Sequence, residues 1–282
     1  MKKIVIATAA LLLAAYAAAF DTEDFKPKGT ISSYTKTNYT IVSKFGEYYR
    51  TPSVKFVHSF DKAGVETGSV SYSPRDEVID KIAYEHDAQS RRTATNYYGA
   101  KGSLMHKTVT EYTEDGKVSS ESEYDDNGKL TGKTIYKYDG NKISESHYDG
   151  QGALLTRLIS IMRSDGRPEE INGYFGDGSF EQKESYVYLD DGKLDSILIT
   201  SIDGSSSQKI TYSYDSNGAV AEIRTHNSEG EIINREFHEN DEAGNPISVK
   251  EYAVTKKFGE TVNELKSMTT YLYTYAKENK EN

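Results

Sequence analysis

The chain has no cysteine and no tryptophan, and only five prolines in 282 residues. The missing cysteines exclude a disulfide framework, a thiolate metal site, a thiol nucleophile and a lipid-modified N-terminal cysteine. Exported proteins often use disulfides to stabilise a small core, so this chain must be held in another way, by stacking many units. Positive charge is also scarce: 34 Lys and Arg stand against 44 Asp and Glu, a net charge of −10. That balance argues against nucleic acid and anionic membrane surfaces as partners, which need clustered Lys and Arg, and fits plain solubility. After residue 19 no apolar run approaches the ~20 residues of a spanning helix.

What is present begins with an address. Lys2 and Lys3 precede an uncharged apolar run from Ile4 to Ala19, and Ala17 and Ala19 are small residues suited to a cut before Phe20. Residues 1–19 therefore read as a secretory signal of bacterial style. The mature chain is expected to be exported, whether periplasmic, on the outer surface or secreted, with no stable membrane insertion after signal cleavage. Residues 20–29, broken by Pro27 and Gly29, read as a linker.

The dominant feature is a period of 26 residues. Gly64, Ser90, Gly116, Asn141, Gly166, Gly192, Gly218 and Gly244 follow one another at steps of 25 or 26. A second series, Gly102, Gly128, Gly152, Gly178, Gly204 and Gly230, runs between them at steps of 24 or 26. A fixed period of this size marks a repeat architecture. Between turns the side chains alternate: Val118, Ser120, Ser122 and Tyr124 share one face, and Ile210, Tyr212 and Tyr214 lie opposite Lys209, Thr211 and Ser213. Period two over such lengths is a half-buried strand. The turns YDDNGK and YDSNGA place Asp first and Gly fourth, the chemistry of a type I turn closed by a left-handed glycine.

Turns this close leave no room for parallel crossovers. The expected fold is all-β, an elongated or curved antiparallel meander of about eight β-hairpin repeats of 26 residues, filling 61–250. Residues 30–60 hold two strand-like runs around a turn-rich FGEYYRTP and read as atypical N-terminal cap strands. In 251–276, VTKKFGETVNELKSM reads as a connection and Met268 to Ala276 as a closing strand; 277–282 is a charged tail.

The motif Y-x-Y-D-x-x-G, whole in YSYDSNG (212–218) and degenerate in YVYLDDG (186–192), resembles the YD repeats of RHS-type bacterial surface proteins. The NGKL and DGK fragments are more weakly similar to bacterial MORN-type repeats, which stack hairpins into an elongated sheet. The resemblance implies an exported β-scaffold rather than a toxin.

Catalytic sets do not emerge. The six histidines form no HExxH arrangement, GxSxG is absent, and pairs such as Asp125–Asp126 and Asp190–Asp191 fall at turns. The acidic turns lack the ligand rhythm of calcium loops. No enzyme activity, metal or cofactor is expected. The best binding candidates are two tyrosine ladders, Tyr112, Tyr138, Tyr188 and Tyr214 in one, Tyr124, Tyr148 and Tyr174 in the other. Such rings serve either to stack on sugars or peptides, or to pack on one another. The expected function is a non-enzymatic exported repeat scaffold binding protein or glycan at the bacterial envelope. The competing expectation is a structural envelope protein that self-assembles through sheet edges or faces.

Overall fold

The computed structural model describes residues 25–201 and 207–276. The signal at 1–19, the tail at 277–282 and the turn at Gly204 lie outside the described residues. Eighteen strands follow in order. The first six are β1 (Ile31–Lys44), β2 (Glu47–Phe60), β3 (Glu66–Tyr72), β4 (Val78–His86), β5 (Arg92–Gly99) and β6 (Leu104–Tyr112). Next come β7 (Val118–Asp125), β8 (Leu130–Asp139), β9 (Lys142–Asp149), β10 (Leu154–Met162), β11 (Pro168–Phe175) and β12 (Phe180–Tyr188). The last six are β13 (Leu194–Ser201), β14 (Ser207–Tyr214), β15 (Val220–His226), β16 (Ile232–Asn240), β17 (Pro246–Lys257) and β18 (Glu260–Tyr275).

The turns follow the expected chemistry. At Asp125 the carboxylate accepts hydrogen bonds from the N–H groups of Asn127 (3.0 Å) and Lys129 (2.8 Å). Gly128 then takes φ +76°, a conformation open to glycine at little cost. Each strand pairs antiparallel with its successor, and bulges at most hairpin ends add twist.

The ends of this meander meet. β1 pairs with β18 from Ile31↔Tyr275 to Thr40↔Ser267, so every strand has two neighbours and the sheet is a closed antiparallel barrel. This overturns the elongated or curved meander of about eight hairpin repeats expected from sequence. Around the ring, closure satisfies the backbone groups an open edge would expose, while the ends of β1 and β18 beyond Thr40↔Ser267 pair on one side alone. The seam has its own lock. Asn245, 1% exposed, accepts from Lys28 N (2.6 Å) and donates to Lys28 O (3.0 Å), tying the segment before β1 to the β16–β17 turn.

Two segments differ from expectation near the seam. FGEYYRTP is mostly strand: β1 and β2 run 14 residues each around a tight turn at Phe45 and Gly46, with Pro52 opposite Tyr39 at a register shift. VTKKFGETVNELKSM is likewise no loose connection. It forms parts of β17 and β18, of 12 and 16 residues, around a tight turn at Phe258 and Gly259.

The register sorts side chains onto two faces. One carries Tyr34, Phe56, His58, Ile82, Tyr97, Tyr136, Glu184, Tyr186, Ile197 and Tyr212. Several of these large groups are almost fully buried, Tyr34 at 2% exposure among them. The other carries the exposed aliphatics Val187, Leu198 and Leu272. A curved sheet crowds side chains on its concave side, so the first face lines the barrel and the second faces out. On the lining, Arg92 of β5 reaches Glu66 of β3 at 3.5 Å across the ring of Tyr84 in β4.

Candidate contact surfaces: two tyrosine ladders and a pair of arms

The ladder of Tyr112, Tyr138, Tyr188 and Tyr214 lies on the lining, at the barrel end where the chain closes. Each hydroxyl donates to a backbone carbonyl 20 residues earlier: Arg92 O (2.7 Å), Val118 O (2.9 Å), Pro168 O (2.7 Å) and Leu194 O (2.7 Å). Each ring is also covered by a cation. Arg91 sits 4.4 Å from the Tyr112 centroid, Lys117 5.1 Å from Tyr138, Arg167 4.6 Å from Tyr188 and Lys193 5.3 Å from Tyr214. Burial pushes all four phenols up from their ordinary value. One repeat on, Asn240 replaces the tyrosine and keeps the bond, donating to Val220 O at 2.8 Å. These rings are tied, capped and half-buried. They form no open groove.

A second lining row, two residues before the first, was missed by sequence reading. Tyr136 donates to Glu121 Oε2 (2.7 Å) and Tyr186 to Glu184 Oε2 (2.5 Å). Burial, then the neighbouring carboxylate, hold both phenols far above their usual range. Burial also pushes Tyr212 up to about 12. Elsewhere on this face His238 contacts Glu236 (2.5 Å), and His106 stacks on Tyr97 with centroids 3.9 Å apart. The first Tyr of Y-x-Y was the available signal.

Tyr124, Tyr148 and Tyr174 lie on the outer face, toward the opposite end. The same register position holds Tyr72, Tyr98 and Tyr252. Directly across from each stands a basic residue of the preceding strand: Lys55↔Tyr72, Lys81↔Tyr98, Lys107↔Tyr124, Lys133↔Tyr148, Arg157↔Tyr174 and Arg235↔Tyr252. Lys183↔Thr200 and Lys209↔His226 complete the series. Lys55 is bound by Asp76, Lys183 by Glu170 and Arg235 by Glu222. Among the described residues no ion pair holds Lys81, Lys107, Lys133 or Arg157, which sit on four successive hairpins. Among the described residues no side-chain hydrogen bond ties the hydroxyls of Tyr98, Tyr124, Tyr148 or Tyr174. Sequence reading found part of this tyrosine row but not the basic row, although the basic positions recur at 24 or 26 residues throughout.

Neither face is an apolar band. Lys81, Lys107, Lys133, Arg157, Lys183, Lys209 and Arg235 sit mid-strand on the outer face. In lipid each such group near the midplane would cost about 2–4 kcal/mol. The lining is charged too, at Glu121, Glu145, Glu184 and Glu236.

The third surface is the pair of arms. β1 and β18 stop pairing after Thr40↔Ser267, yet β1–β2 continues to Lys44↔Glu47 and β17–β18 to Lys257↔Glu260. Two hairpins thus project beyond the barrel rim, side by side. A cleft of about 450 Å³ separates them, lined by Ile41, Ser43, Tyr48, Val262, Glu264 and Leu265 among others. Glu264 is held down at about 2 by Lys257 and then Lys266.

No family model and no curated protein matches this sequence. Solved structures are similar to this chain at low identity only. A porin-like protein from Bacteroides uniformis has 11% identity over 86% of this chain and 98% of its own, with a TM-score of 0.48. The Photorhabdus luminescens Tc holotoxin pore has 12% identity over 82% of this chain and 19% of its own, with a TM-score of 0.18. At these values the likeness carries no statement about function.

Proposed function

We propose that this chain is a non-enzymatic exported scaffold of the bacterial envelope, a water-exposed barrel that binds an anionic glycan along its outer face. The observation that carries the reading is the outer row of Lys81, Lys107, Lys133 and Arg157 beside Tyr98, Tyr124, Tyr148 and Tyr174. Alternate strands place these pairs about 10 Å apart. A tyrosine face offers a stacking platform for a sugar ring, and an unpaired cation beside it offers a partner for a carboxylate or sulfate. Repetition around the barrel suits a polymer, since weak pairs at fixed spacing add through effective concentration. The N-terminal run supports export, and the charged outer face supports a barrel in water rather than in lipid.

The test is binding to polygalacturonate, with neutral dextran alongside. The expected result is salt-sensitive binding to the polyanion, weakened at least about tenfold by Lys81→Ala/Lys107→Ala/Lys133→Ala. No binding, or equal binding by the triple variant with an unchanged circular dichroism spectrum, would refute the reading.

A further inference from the structure

The two arms end in the same four residues. Lys44-Phe45-Gly46-Glu47 closes the β1–β2 hairpin, and Lys257-Phe258-Gly259-Glu260 closes the β17–β18 hairpin. Their phenylalanines are the most exposed large apolar side chains described, at 103% and 107%. Their backbones match as well: φ is +54° at Phe45 and +52° at Phe258, each followed by a glycine near +84°. Two consecutive positive φ values make a turn that favours Asn or Asp at its first position. A phenylalanine there is strained, and full exposure returns nothing to folding. Both tips bear that strain with the same residue, which points to a role for the ring outside the fold.

The partner follows from what surrounds the rings. Neither phenyl group sits in a groove or on a flat face; each stands alone at the end of a protruding hairpin. A soft apolar medium admits such groups individually, whereas a protein partner would need two matching pockets at the same separation. Behind the tips come Val42, Tyr48 and Tyr49, all exposed, and tyrosine belongs at the boundary between lipid tails and water. The local charge also differs from the rest of the chain. Beyond the last β1–β18 pair, the arms carry Lys44, Arg50, Lys256, Lys257 and Lys266 against Glu47, Glu260 and Glu264. Net acidity disfavours anionic surfaces for the molecule as a whole, but the two arms carry a net charge of +2, five basic against three acidic groups, and the attraction of such surfaces acts only within a Debye length.

We propose that the paired arms are a peripheral membrane anchor, inserting Phe45 and Phe258 into the interface of an anionic bilayer while the barrel stays in water. Shallow apolar insertion and basic charge together supply the two signals that peripheral anchoring takes. The observation is independent of the outer glycan row, and the sites lie on different residues.

The experiment is flotation of the purified protein with vesicles of phosphatidylglycerol and phosphatidylethanolamine, and with phosphatidylcholine alone. The variant is Phe45→Ser/Phe258→Ser, whose unchanged melting temperature certifies its fold, because both side chains are free of packing. The expected result is salt-sensitive flotation with the anionic vesicles, reduced at least about a hundredfold in the variant, and weaker flotation with phosphatidylcholine. Three results would overturn the proposal: no flotation by the parent protein, equal flotation by the variant, or a lipid-free dimer that the variant abolishes. Attachment through residues 4–19, common to both proteins, would appear as equal flotation.

Discussion

The inner and outer tyrosine ladders share a period and a residue type, yet they are built for different ends. Inside, Tyr112, Tyr138, Tyr188 and Tyr214 each donate to a carbonyl and lie under a cation. Their hydroxyls close the neighbouring strand's end, and Asn240 does the same with an amide. Outside, Tyr124 and Tyr148 face lysines that no carboxylate holds among the described residues. A repeated aromatic therefore says nothing by itself about binding. What separates scaffold from surface is whether the polar end of the ring is already engaged.

Substitution sharpens that contrast. Tyr138→Ala and Tyr188→Ala remove a half-buried ring and a hydrogen bond, and each should cost about 2–3 kcal/mol in chemical denaturation. Tyr124→Ala loses a cross-strand pair and should cost about 1 kcal/mol or less. Equal losses at the two ladders would erase the distinction. Removing only the hydroxyl is a finer probe: Tyr138→Phe should cost about 1 kcal/mol, and Tyr124→Phe should leave the unfolding midpoint unchanged.

Backbone strain offers a comparison between turns of similar outline. Gly128→Ala meets no neighbouring atom within 4 Å, so its cost of about 1 kcal/mol or more is conformational alone. Ser90 holds φ +60° where the series otherwise prefers glycine, and Ser90→Gly should relieve strain. A rise in melting temperature checks it.

Two pH dependences of opposite sign are also expected. Tyr212 titrates near 12 in the fold against about 10 unfolded. Its contribution is complete below pH ~10 and is lost as pH rises toward 12. Asp215 is held down chiefly by the N–H of Ala219. Its contribution is present above pH ~4, the unfolded carboxyl value, and is lost as pH falls through the folded value. Denaturation midpoints across both ranges would show one loss at each end.

The turns and strands were legible because their causes are local. Asp125, Asn127 and Gly128 build one hairpin without reference to any other. Closure is not local: Tyr34 pairs with Tyr273 across nearly the whole chain, and nothing in a 26-residue unit states how many units complete a ring. The arms were misread for a related reason. FGEYYRTP was read as turn-rich, whereas its glycine serves a two-residue turn and its proline sits at a register shift. The inner ladder was legible as a row, but the carbonyls that engage it lie 20 residues away and are visible only in the fold. Closure also brings Phe45 and Phe258, far apart in sequence, to the same rim.

The most direct test of this account is a disulfide across the seam. Thr37 lies opposite Thr270 where β1 meets β18, and the chain has no cysteine to interfere. In Thr37→Cys/Thr270→Cys, a closed barrel predicts rapid formation of one intramolecular disulfide with the circular dichroism spectrum unchanged. Thiols that remain free under the same oxidation, or that link only between molecules, would mean that the sheet is open and that the two arms stand at opposite ends of it.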